Sequence, residues 1–203
     1  MLISDIRRTS PGRLTVRLED GTEIKTTLGV VTDLRLFSGR ELDEGEAQEL
    51  KTASVRALAR ERALEMLSRR AMSRAELRRK LIEKGEDEDT AEHVTAWLCE
   101  HSLIDDESYA AAVARHYAAK GYGAGRVRAE LSRRGIEREL WEGAVDAMPA
   151  NEDKIDKFIA SRLRDPADRD EVRKLSNALY RRGYSWDEIR RALERHEAEI
   201  YED

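Results

Sequence analysis

Three side chains able to hold a metal, His93, Cys99 and His101, fall within nine residues of this chain. A zinc site needs four ligands, usually as two closely spaced pairs. The other histidines, His116 and His196, stand alone, and the chain has 1 cysteine. No metal is therefore expected, and Cys99 is expected to pack in the third helix of a first three-helix unit. The run GYGAGR, Gly121–Arg126, has the glycine density of a phosphate loop, but no Lys-Ser/Thr follows it and no strand pattern precedes it. A turn between helices is the favoured reading. Such a turn, leading into a helix with Arg126 at its start, could still hold an anion on free backbone N–H groups. In LIDDESYA, Asp105 or Asp106 reads as a helix N-cap. Tyr109 and Tyr117 read as one buried helical face. Trp97, Trp141 and Trp186 read as packing between helices rather than base-stacking platforms. No Ser–His–Asp, Cys–His, Walker or dinucleotide pattern occurs. The chain reads as not an enzyme, without cofactors.

The elements that position these residues follow from composition and periodicity. The chain has 203 residues, 40% apolar and 39% charged, with 5% aromatic. That suits amphipathic, surface-charged helices around thin cores. No apolar run approaches the ~20 residues needed to span a bilayer, the start lacks a signal-peptide core, and a single cysteine excludes an intramolecular disulfide framework. A cytoplasmic monomer is expected. The net charge of −5 excludes a globally basic nucleic-acid binder, so any polyanion contact requires a segregated patch.

Residues 1–45 read as a strand-rich extension. RLTVRLEDGTEIKTTL alternates apolar and polar residues around Asp20-Gly21, a tight-hairpin signal. LISDIRR offers a third strand and GVVTDLRLF a short helix. A lone hairpin is not stable in water, so this piece is expected to lean on a neighbour. Gly39–Gly45 reads as a linker. From Glu46 the period is helical, with Leu50, Val55, Leu58, Leu64 and Leu67 on a long first helix.

A repeat governs the rest. Gly85, Gly135 and Gly183 lie 50 and 48 residues apart. Leu81, Leu131 and Leu179 stand four before each glycine, and Leu77, Val127 and Leu175 eight before. Tandem three-helix repeats at residues 46–104, 105–149 and 150–203 follow. The predicted fold is mainly α: three repeats in an elongated curved body, with a small N-terminal β-hairpin or meander. Charge follows the repeat. Ser73–Lys84 has five basic against two acidic residues, and Gly123–Arg134 four against one, each a net of +3. Glu86–His101 holds six acids and no Lys or Arg. A basic ridge beside an acidic ridge is expected. Part of this is helix-dipole physics, but Arg74, Arg78, Arg126 and Arg128 sit in the first halves of their helices, where the dipole disfavours cations.

The stretch SRAELRRKLIEKG, followed by LIDDESYAAAVARHYAAKGYGAGRVRAELSRRGIERE, resembles the RecX family, regulators of the bacterial recombinase RecA. The likeness is strongest over Ala63–Ala147, in the "DDE-YA" and "GYG--R-R-EL--RGI" runs. Asn151–His196 is more divergent, and residues 1–45 are similar to the extension of longer members. The resemblance implies three-helix modules that bind the groove of the RecA filament on single-stranded DNA. It implies inhibition of ATP hydrolysis, strand exchange and the repressor cleavage of the SOS response. It has no catalytic residues to transfer. Positions matching its basic, glycine-punctuated motif are Arg74, Arg78, Arg79, Lys80, Tyr122, Gly123, Arg126, Arg128 and Arg134. A helical-repeat module that binds DNA directly, or a scaffold for an unrelated protein, remain the alternatives.

Overall fold

The structure is a computed structural model that describes residues 1–198. Alternation and turn chemistry produce the N-terminal sheet. Strands β1 (Ile3–Ser10), β2 (Arg13–Leu18) and β3 (Glu23–Thr27) form an antiparallel meander in the order β1-β2-β3. The Asp20-Gly21 turn brings Val16 opposite Ile24. A short helix, α1 (Leu28–Asp33), follows, capped by the Thr27 hydroxyl. One sheet face places Ile3, Val16, Leu18 and Ile24 in a core closed by Val30, Leu36, Leu42 and Leu50. The neighbour that stabilises the sheet is α2 (Glu44–Arg69). Its Ser54 hydroxyl donates to Thr26 Oγ1 at 2.8 Å inside the core.

Two expectations for this region are corrected. Gly39–Gly45 is no free linker. Leu42 is buried, Leu42 N–H donates to the Met1 carbonyl, and Ile3 N–H donates to the Arg40 carbonyl. Arg40 also reaches Glu46, which forms a capping box with Asp43. The segment is a strap that starts α2. On α2 itself, Val55 and Leu64 face solvent, while Ala47, Ser54, Ala57, Ala59 and Ala63 are buried. Large apolar residues suggest the buried stripe in sequence. Small ones occupy it here because they let the helix lie close against β3 and its helical neighbour.

The second half of α2 opens the first repeat, with α3 (Arg74–Glu83) and α4 (Glu88–Glu100). The second repeat is α5 (Asp106–Ala119), α6 (Ala124–Arg133) and α7 (Trp141–Asp146), with a 3-10 turn at Arg138–Leu140. The third is α8 (Glu152–Ala160), α9 (Arg169–Arg181) and α10 (Trp186–Glu194). Each repeat closes its own apolar cluster. The leucine frame is buried throughout: Leu77, Val127 and Leu175, and Leu81, Leu131 and Leu179.

Each basic helix ends in the same way. The glycine takes a positive φ, +95° at Gly85, +69° at Gly135 and +90° at Gly183. The next N–H donates back to the leucine carbonyl: Glu86 to Leu81, Ile136 to Leu131, Tyr184 to Leu179. This two-bond terminus satisfies carbonyls that the helix would otherwise leave unpaired, and it aims the third helix back across the first two. The described residues form two compact units, Met1–Met72 with Glu76–Ile104, and Ser73–Ala75 with residues 105–198.

Candidate functional site

Among the candidate residues, Arg78, Arg79 and Lys80 belong to the first unit. Arg74, Tyr122, Gly123, Arg126, Arg128 and Arg134 belong to the second. In the first unit, Arg78 Nε lies 3.0 Å from Glu92 and its Nη2 3.8 Å from Glu88. Arg62 pairs with Glu86, and Arg56 Nη2 lies 3.1 Å from Asp89. The acidic segment is therefore paired with arginines of α2 and α3 here, rather than standing as a separate ridge. Arg79 is exposed, 3.8 Å from Glu83, and Lys80 is half-buried.

The same pairing recurs one repeat later. Arg128 donates twice to Glu142, at 2.9 Å and 2.7 Å. Arg128 and Glu142 stand 50 residues beyond Arg78 and Glu92. In both repeats an arginine on the second helix grips a glutamate on the third. The Glu142 carboxylate raises the pKa of Arg128, and Arg128 lowers that of Glu142. Arg134 is engaged as well. Its Nε donates to Glu130 at 2.7 Å, and a second nitrogen donates to the Tyr109 hydroxyl. Arg133 donates twice to the same carboxylate. Glu130 is 4% exposed. Hydrogen bonds from Arg133, and then from Arg134, hold its carboxyl down to about 2 although burial pushes the other way.

Within the second unit, Ser73 Oγ donates to the Arg134 carbonyl at 2.5 Å, and Arg74 N–H donates to Asp106 Oδ1 at 2.9 Å. Asp105 caps its own helix by accepting from Ser108 N–H, while Asp106 accepts from Arg74 N–H. Burial pushes the Asp106 carboxyl above its ordinary range.

The glycine run has a packing role. Gly123 N–H donates to the Arg182 carbonyl at 3.0 Å, and Gly125 N–H to the Gly183 carbonyl at 2.9 Å. The C-terminal end of α9 thus caps the N-terminal end of α6, with opposite ends of two helix dipoles in contact. A Cβ at Gly123 would lie 2.4 Å from Gly183 O, so backbone meets backbone here. Anion binding on free N–H groups of this turn is corrected: Gly123 and Gly125 spend theirs on carbonyls. Two guanidinium groups lie over the Tyr122 ring, Arg126 at 5.9 Å and Arg182 at 5.2 Å from its centre, and the Tyr122 carbonyl accepts from Asn151 Nδ2.

Arg126 is exposed, and beside it a groove of about 440 Å³ runs between α6 and the α9–α10 turn, lined also by Arg128, Tyr180, Arg181 and Tyr184. Tyr180 and Trp186 are 54% and 44% exposed. Their rings stack 5.2 Å apart, 18° from parallel. Trp186 is therefore not buried packing between helices. Trp97 stacks on His101 under Arg60, and Trp141 donates to the Ile136 carbonyl. His93 faces solvent and Cys99 is half-buried against the first repeat's core.

Three family models match in tandem: "RecX, first three-helix domain" over residues 59–98, "RecX, second three-helix domain" over 105–145, and "RecX, third three-helix domain" over 156–193. This chain belongs to the RecX family. Proteins named "Regulatory protein RecX" from Xanthomonas axonopodis pv. citri (strain 306) and Stenotrophomonas maltophilia (strain R551-3) are each 36% identical over 135 residues, 65% of this chain and 83% of the relative. One from Vibrio parahaemolyticus serotype O3:K6 is 33% identical over 138 residues, 66% of this chain and 89% of the relative. A solved structure described as "Crystal structure of regulatory protein RecX" aligns with a TM-score of 0.76 at 25% identity, covering 96% of this chain and 98% of that one. Such coverage requires most of the strand-rich N-terminus to be shared. RecX from Lactobacillus salivarius gives 0.63 at 22% identity over 71% of this chain and 98% of that one, a likeness of fold. The relatives are regulatory proteins by name, and among the described residues no helix is long and apolar enough to cross a membrane.

Proposed function

We propose that this protein regulates a RecA-type recombinase, mainly as an inhibitor, by binding the groove of its filament on single-stranded DNA. ATP hydrolysis, strand exchange and the coprotease activity of the SOS response would all fall. The observation that carries this reading is membership of a family of regulatory proteins across all three repeats. The recombinase as partner comes from the family resemblance. Repeated modules suit a repeated ligand, because several weak contacts on one chain exceed any one of them in affinity. The protein acts as a cytoplasmic monomer, with residues 1–45 as an extension to repeats at 46–104, 105–149 and 150–203.

Among the basic candidates, Arg126 is the one that combines exposure with no ion pair to a described residue and a place on a groove wall. Arg78, Arg128 and Arg134 serve first in internal pairs. Co-sedimentation with recombinase filaments, preassembled on single-stranded DNA with a non-hydrolysable nucleotide, tests the reading. The full chain pellets with filaments and stays in solution with free recombinase. Equal recovery with both would contradict filament binding, and Arg126→Glu weakens recovery without altering helicity.

A further inference from the structure

The stacked Tyr180–Trp186 pair has no counterpart in the other repeats. The positions equivalent to Tyr180 hold Ser132 and Ile82, and those equivalent to Trp186 hold Arg138 and Glu88. The three-helix core is closed without the pair, since Leu175, Leu179, Ile189 and Leu193 fill it. The pair is nonetheless built with care. Gly183 turns the chain, and the Ser185–Glu188 capping box fixes the backbone where Trp186 begins α10. Two large π surfaces are thereby held parallel and half in water.

Their surroundings have a definite chemistry. Tyr180 shares its groove with Arg126 and Arg181, both exposed and neither ion-paired with a described residue. The one acid lining it, Glu188, is occupied by Ser185 N–H and Oγ at 2.7 Å each. Tyr184 also lines the groove. It is 3% exposed, and its buried hydroxyl has no hydrogen-bond partner. Burial pushes that hydroxyl up to about 12, so it stays protonated as part of the groove floor. A flat aromatic platform beside guanidinium groups free of ion pairs matches an unstacked base and its flanking phosphates. Bases in a duplex have no free face to offer.

We propose that Tyr180 and Trp186 form a stacking platform for a base of single-stranded nucleic acid, with Arg126 and Arg181 on the adjacent phosphates. The site deepens the reading above and rests on it for its biological setting, but it is tested without recombinase. Anisotropy of a labelled oligo-dT strand, titrated with the full chain across salt, reads it directly. Replacing both aromatics, Tyr180→Ala with Trp186→Ala, weakens binding about 5- to 150-fold, as expected for one stacked base, while Trp186→Phe retains most of it. Arg126→Ala with Arg181→Ala flattens the slope of log affinity on log salt by about 1.4, two single-strand phosphate contacts. An abasic strand binds the native chain no better than oligo-dT binds the double-aromatic variant. Unfolding midpoints of the variants stay near that of the native chain, because both rings are exposed. Undiminished oligo-dT binding by the double-aromatic variant overturns the proposal, as does equal affinity for the abasic strand. Should that variant keep oligo-dT binding but lose its effect on recombinase hydrolysis, the platform takes a protein surface instead and filament regulation stands. No oligo-dT binding by the native chain also overturns the platform, again leaving filament regulation to its own test.

Discussion

Glu130 is the residue whose chemistry is most constrained by this fold. It is buried and held by two arginines, with its carboxyl at about 2 against an ordinary 4.5. The depressed value means that its contribution to stability is fully present above about pH 4.5 and is lost as pH falls toward 2. Arg133 is largely exposed, so water screens part of the interaction and the contribution is about 1–3 kcal/mol. Glu130→Gln therefore lowers the urea midpoint at pH 7, and the gap to the native chain narrows as pH drops from 5 to 2. A gap that is independent of pH would show that the charge is not what holds the site. Arg128 and Glu142 make a second test. Arg128→Glu sets two carboxylates face to face, and adding Glu142→Arg restores the pair with its sign reversed. Thermal unfolding should fall in the single variant and recover in the double, whereas additive losses would rule out a specific pair. This pairing was readable in sequence, because Arg78 and Glu92 recur as Arg128 and Glu142 in the repeat register. Counting charge helix by helix hid it, since a net count cannot see which cation faces which acid.

At the scale of elements, the glycine-ended helices carry two different loads. A Cβ at Gly85 meets nothing within 4 Å, so Gly85→Ala costs only the left-handed backbone, about 1–2 kcal/mol. A Cβ at Gly183 would lie 2.1 Å from Arg126 N and 2.8 Å from Arg126 Cβ. Gly183→Ala must push α9 away from α6, and it should cost clearly more than Gly85→Ala in urea unfolding. Equal costs would mean that the Gly123–Gly183 contact does not hold these helices. The helix ends themselves were legible, because leucine, glycine and the following residue make a local motif of six residues. The docking of Gly123 on Gly183 was not, because it joins residues 60 apart that no local preference links. The same limit hid Tyr180 beside Trp186, brought together by a tight turn, and the alanine stripe of α2, whose burial depends on what lies across from it. The sheet was legible from alternation and the Asp20-Gly21 turn, whereas the strap at Gly39–Gly45 looked polar enough to be a linker.

At the scale of the molecule, a chain of net charge −5 is proposed to work on a polyanion-bearing filament. Acids outnumber bases, so long-range attraction is weak, and local cations free of ion pairs with described residues, such as Arg126 and Arg181, must carry the contact. Inhibition should then weaken with salt by only a few contacts' worth, far less than for a basic DNA-coating protein. The central claim, that this protein restrains a RecA-type recombinase, is tested most directly by titrating the full chain into that enzyme's ATP hydrolysis on single-stranded DNA. Hydrolysis should fall at equal or substoichiometric amounts of the protein. Unchanged hydrolysis at several-fold excess, in a buffer where the protein is folded, would contradict it.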